Sequence, residues 1–342
     1  MRCFRPATCS PWPDRKRAGA EEEQITRHGT VDREPSHPNQ YRCRRRRSTV
    51  RGVAHTWEFV TTWTFEPLLA AVLVLVATGY AAAARIVTHA HPRQPWPVRH
   101  SVFFGLGLLV VLVATLGPVG SYDDDFFWAH MAQHILLMML AAPLLLLGEP
   151  VLLILRVSTK QFRRGVVVPV LHSRVVRFLT HPVVGWLVFA SVLYGTHFTG
   201  FFEYALEHPA VHDYLEHPLY LGAGLLYFYP LLGVSPGASA MAPFAKVVSL
   251  FLMMLPETMV GFAIYMAGGV LYPFYSAVDD RPWGPSTALD DQRLGGAFMW
   301  SSAMLFDAIW ISVAVWAWLR AEEHKATRVD AQIAAEQLTA RG

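Results

Sequence analysis

Apolar residues in this chain come in long blocks rather than in alternation with polar ones. Seven blocks reach or approach the roughly 20 apolar residues that a helix needs to cross a 30 Å hydrocarbon layer. They run over 67–87, 101–119, 127–147, 183–202, 218–234, 244–268 and 295–319. Gly, Pro or charge clusters punctuate most of them, and none keeps the polar face of a water-soluble bundle. The pattern predicts an all-α, polytopic membrane helix bundle with seven transmembrane helices over 56–320. Tails at 1–55 and 321–342 flank it. The fifth block is short and extends back toward Val211 if His217-Pro218 is a kink.

Charge gives the bundle a direction. Fourteen basic residues, among them Arg85, Arg93, Arg156, Arg163, Arg164, Arg177, Lys246 and Arg320, fall in one set of alternate connections. The other set holds only Arg281 and Arg293, against acids that include Asp123, Asp124, Glu203, Asp213, Glu216 and Asp291. Basic connections stay on the cytoplasmic side. The expected topology is therefore N-terminus outside and C-terminus inside, in the plasma membrane of a bacterium.

Composition then removes whole classes of function. Only 16% of residues are charged, where soluble domains carry about 25%, so an ordinary cytosolic enzyme is excluded. The 24 Gly and 23 Pro follow no fixed period, which excludes a collagen-like repeat. All three cysteines (Cys3, Cys9 and Cys43) lie in the first tail. The body therefore has no thiolate chemistry and no disulfide, and any metal there must use His, Met or carboxylates. The net charge of +3 divides into 13 Lys/Arg against 6 Asp/Glu over 1–55 and an acidic remainder. With its Arg44–Arg47 run on the outer face, the tail breaks the charge rule. It reads as unstructured, or as sequence upstream of a start near Val50 or Val53. It is no signal peptide, because no apolar core follows its first charges. No nucleic-acid partner is expected.

The acidic side also collects histidines. His130 and His134 lie four apart at the outer end of the third block and share a helix face, with Gln133 beside them and Met138 deeper on the stripe. His197 ends the fourth block, and His208, His212, Glu216 and His217 follow in the next connection. If Pro209 opens a helix, His212 and Glu216 share a face while His217 points about 100° away from Glu216. Two acids lie mid-span: Glu257, near Met253 and Met254, and Asp307, near Met304 and Met299. An ionised group at that depth costs about 2.5–3.5 kcal/mol or more on insertion scales, so each must face the bundle interior and find a partner. Imidazole and thioether donors without thiolate suit copper, especially Cu(I), while histidine alone also suits zinc or haem iron. A lone interfacial histidine is more often a hydrogen-bonding residue, and a methionine stripe more often packing. The combination is what points to a metal. Aromatic residues at block ends, such as Trp128, Tyr214, Tyr220, Tyr272 and Trp300, read as interfacial anchors.

Three segments carry a resemblance: HMAQHILLMMLAAPLLLLGEP at 130–150, VHDYLEHPLYLGAGLLYFYPLLG at 211–233 and DQRLGGAFMW at 291–300. In order and spacing they resemble the signatures of the caa3-type CtaG cytochrome c oxidase assembly family, and WTFEP at 63–67 is similar too. The likeness covers about 60–320. It implies a non-enzymatic assembly factor for a haem–copper oxidase, helping a copper centre to form. By position, the family's motif histidines fall on His130, His134, His212 and His217. Its remaining motif falls on Asp291, Gln292, Gly295, Gly296, Met299 and Trp300. The metal ligands proposed from residues and resemblance together are His130, His134, His212, His217, Glu257, Asp307, Met138 and His197, with copper as the cofactor. Oxidase subunits, the lipid bilayer and a copper donor protein are the expected partners. A scaffold without metal and a b-type haem protein using His134 and His217 are the alternatives.

Overall fold

The structure is a computed structural model that describes residues 59, 61–233, 241–278, 281 and 284–339. The first tail, to which the sequence assigns an unstructured extension, lies outside the described residues. Every regular element among them is helical. The principal helices are α1 (Pro67–Ala90), α2 (Val98–Thr115), α3 (Phe127–Ile135), α4 (Ala142–Leu147), α5 (Pro150–Val157), α6 (Pro182–His197), α7 (Phe201–Glu207), α8 (His217–Leu232), α9 (Pro243–Met266) and α10 (Ala288–Thr339). A π-helical segment, Leu136–Ala141, joins α3 to α4, and a second, His212–Glu216, leads into α8.

Proline begins α1, α5, α6 and α9, where its missing N–H costs nothing. The helices bury polar groups and turn large apolar side chains outward: Leu75, Leu255 and Leu305 are each more than 60% exposed. In water such a surface would aggregate; in a bilayer it is solvated, so the chain is a membrane protein.

Among the described residues five helical runs are long and apolar enough to cross a membrane: Pro67–Ala90, Val98–Thr115, Phe127–Val157, Pro243–Met266 and Ala288–Ile333. Counting the bent pair Pro182–His197 and Phe201–Glu207 as one span gives six. The seven expected from the apolar blocks are thus reduced to five or six. The fourth block breaks after His197, where the chain turns by 67° into α7. The fifth yields only the 16 residues of α8, about 24 Å of helix at 1.5 Å per residue. Its N-terminal extension is spent on His, Asp and Glu.

The core lies among α3, α6, α8, α9 and α10, around Phe127, Met131, Phe189, Tyr220, Phe228 and Leu250. Tyr220 and Tyr272, expected at the interface, are buried in it. An aromatic ring at the end of an apolar block is ambiguous between a lipid anchor and a core residue until the neighbouring helices are known. α1 is peripheral, with only Ala84 and Val87 buried.

α9 and α10 meet along small residues. A Cβ on Gly296 would stand 2.7 Å from the Tyr265 backbone nitrogen and 2.8 Å from the Gly261 oxygen, the close approach that membrane helices reserve for glycine. Its neighbour Gly295 faces α3, where a Cβ would strike the Phe127 ring. Gly296→Val is expected to destabilise the bundle by about 1–3 kcal/mol through overpacking. Gly105→Ala, at a position with open space, should leave thermal denaturation in detergent unchanged or raise its midpoint. Equal midpoints for Gly296→Val and the wild type would contradict this packing.

Candidate metal centre

The site begins with the anchoring of α3. Asp291, in the first turn of α10, accepts hydrogen bonds from the backbone N–H groups of Phe127 (2.8 Å) and Trp128 (3.3 Å), and from Arg281 Nη1 (2.7 Å). A carboxylate at a helix N-terminus satisfies orphan donors and meets the positive end of the helix dipole. Gln292 does parallel work at the end of α9. It accepts from Leu271 N and donates to the carbonyls of Ile264 and Gly269. The DQ pair of the 291–300 segment therefore fixes the helices that carry the site.

So anchored, α3 buries His130 and His134 completely or nearly so, with their Nε2 atoms 2.9 Å apart. The connection before α3 contributes Asp123. Its carboxylate accepts from Gln133 Nε2 (3.1 Å), while Tyr275 OH donates to its backbone oxygen (2.8 Å). Burial pushes the Asp123 carboxyl well above the usual carboxylate range, and the neighbouring Asp124 charge adds to the shift. A bound cation would relieve that penalty.

The third wall comes from the segment before α8. Pro209 does open a helix, and His212 and Glu216 do share a face, with His212 Nε2 and Glu216 Oε2 3.9 Å apart. His217 departs from expectation. In a regular α-helix it would point away, but His212–Glu216 is π-helical. The wider turn closes over five residues and returns His217 to the side of His212, ring centroids 4.5 Å apart.

The four histidines of the 130–150 and 211–233 segments thus converge with two carboxylates. Glu216 Oε1 lies 3.6 Å from His130 Nε2 and 3.4 Å from His134 Nε2, and Asp123 Oδ2 lies 3.8 Å from His212 Nε2. Two sets can each offer one ligand atom within 4.8 Å of the others: His130, His212 and Glu216, and Asp123, His212 and His217. Donors around one tetrahedral ion with bonds near 2.0–2.1 Å stand about 3.3 Å apart, so small side-chain movements would complete either set. Both Glu216 oxygens, both His217 nitrogens and His212 Nε2 are buried without a hydrogen-bond partner. Unpaired buried polar atoms are costly, and a metal ion is one group that would satisfy several of them together. The donor set fits copper or zinc.

The remaining predicted ligands stand apart from this cluster. His197 is buried, but its Nδ1 pairs with the Leu193 carbonyl (2.8 Å) and its Nε2 with Met131 Sδ (3.3 Å). Met138 and Glu257 line an internal cavity on the far side of His134. Asp307 lies against Glu257 rather than against the histidines. Asp123, Glu216 and Tyr220, the last stacked on His134 at 3.6 Å, were not among the predicted ligands. Glu216 had a legible signal in its i, i+4 relation to His212. Asp123 had none beyond its place in an acidic connection.

Comparison with known proteins supports the family resemblance. Residues 78–321 match the cytochrome c oxidase caa3 assembly factor family. An uncharacterized protein of Mycobacterium leprae is 29% identical over 279 residues, covering 80% of this chain and 42% of its own length. An uncharacterized protein of Mycobacterium tuberculosis is 30% identical over 278 residues, covering 79% and 41%. The chain thus spans less than half the length of these curated relatives. No solved structure matches.

Proposed function

Because the chain belongs to the cytochrome c oxidase caa3 assembly factor family, we propose that it holds copper in the histidine–carboxylate cluster as cargo for a haem–copper oxidase. The observation that carries this reading is the convergence of His130, His212 and Glu216 within 4.8 Å, with buried atoms that lack other partners. Imidazoles offer borderline donors to copper, and the carboxylates offset its charge. Because several donors surround His212, a bound ion can exchange one ligand for another on its way to an acceptor without redox chemistry. The role is non-enzymatic. The excess of Lys and Arg on the opposite connections supports an extracytoplasmic cluster in a bacterial plasma membrane. Oxidase subunits and a copper donor protein are the partners this role requires. A porphyrin between His134 and His217 is disfavoured by the packing: the rings of His212 and His217 nearly touch, Tyr220 lies flat on His134, and the cavity beside His134 measures only ≈ 20 Å³.

Deletion of the gene, with oxidase activity measured at basal and raised copper, tests the proposal. Lost activity that copper restores is expected. Lost activity that copper leaves unrestored would instead support a metal-free scaffold.

A further inference from the structure

Below the histidine cluster lies a small internal cavity of ≈ 20 Å³, above the 10–15 Å³ or so that one water requires. Four of the chain's 11 methionines line it: Met131, Met138, Met139 and Met299. His134, Tyr220 and Glu257 also line it. Every one of these residues is buried. Met131 sulfur is already engaged by His197, so Met138, Met139 and Met299 are the remaining thioether candidates in the lining.

Methionine usually fills irregular gaps in a core. Here it leaves one open, beside a carboxyl whose two oxygens have no hydrogen-bond partner. Asp307 is packed against Glu257, so the two carboxyls face each other. Among the described residues no Lys or Arg forms an ion pair with either acid. Two buried acids thus meet a pocket of soft, neutral sulfur donors.

The chemistry of the lining selects the occupant. Magnesium and calcium demand about six or more oxygen ligands, and magnesium sheds water reluctantly. A hydrated ion does not fit a space for one water. Thioethers select Cu(I) among biological metals, and a bare ion with two or three sulfur ligands fits the volume.

We propose that this cavity is a second, inner site for Cu(I), with the thioethers of Met138, Met139 and Met299 as donors and Glu257 as counter-charge. His134 borders both cavity and cluster, so the two sites share a wall. The inner site uses residues other than those of the proposed outer one, and the two stand or fall separately.

The test uses the full-length chain in detergent, with Cys3, Cys9 and Cys43 replaced by Ser so that sulfur signals come only from methionine. Cu(I) is titrated anaerobically against a chromophoric Cu(I) chelator, and copper–sulfur scattering is read by X-ray absorption. The expected result is two Cu(I) per chain. Met138→Leu/Met299→Leu, a swap that conserves volume, should remove one ion together with the sulfur scattering. His212→Ala should remove the other ion and keep the scattering. Glu257→Gln, a second variant with less effect on packing, should weaken the sulfur-ligated ion at least tenfold. If the Met variant binds as the wild type does, or the wild-type spectrum shows no sulfur neighbour, the inner site is overturned. One ion lost with His212→Ala and untouched by the Met variant also overturns it while leaving the outer site intact. Binding of no copper overturns both.

Discussion

His212→Ala is expected to weaken copper binding at the outer cluster by at least about 100-fold, since loss of even an outer-shell partner costs 10–100-fold. His212 is the ring common to both candidate ligand sets, so its removal leaves neither complete. Glu216→Gln should follow in the same direction. It keeps the volume but removes the charge that His130 and His134 face at 3.6 and 3.4 Å. Copper content of the purified full-length variants, with chelator competition, measures both. His197→Ala is the contrasting control, because both of its ring nitrogens are already engaged. Equal affinity in His212→Ala and wild type would remove this cluster as the outer site. Affinity should also fall as the pH drops toward about 4, where protons compete for the His212 imidazole, which burial pushes down to about 4.

The second large effect is on stability. Asp291→Ala strips three hydrogen bonds at once and leaves Arg281, itself buried, without its carboxylate. Breaking a buried pair by removing one partner costs about 3–5 kcal/mol, and two backbone N–H groups at the head of α3 become unsatisfied as well. A large fall in the thermal midpoint in detergent is expected, together with lower yield from membranes. Asp291→Asn, which keeps an acceptor oxygen, should fall between. A midpoint for Asp291→Ala within a degree of wild type would show that α3 does not depend on this anchor. The distinction matters for function: this variant should lose copper through loss of structure, whereas His212→Ala should lose it while folded.

Much of this architecture is legible in the chain because helix in a bilayer is dictated by composition over 20-residue windows. The blocks at 67–87 and 244–268 correspond directly to α1 and α9, while the block at 295–319 is the middle of the 52-residue α10, which continues through the segment read as a tail. The i, i+4 pairs His130–His134 and His212–Glu216 are also legible, since helical period alone places them on one face. What hydropathy cannot register is a change of helical pitch. The break after His197 and the π turn at His212–Glu216 keep the same local composition yet alter span count and side-chain direction. The Asp291 anchor is illegible for another reason: its partners Phe127 and Trp128 are 164 and 163 residues away. An acid beside an aqueous connection reads as surface charge until the helix it caps is known. Asp123 is hidden in the same way.

The same π turn sets how such a pocket comes into being and disappears. A π turn is an α-helix holding one surplus residue. Removing a single codon between His212 and Glu216 would restore regular winding and swing one flank of the ring set around the axis, with no ligand substituted. On the proposed copper reading, one in-frame indel would be enough to gain or lose the capacity, and a chain with all four imidazoles but without the surplus residue would be a bundle of similar shape without the grip.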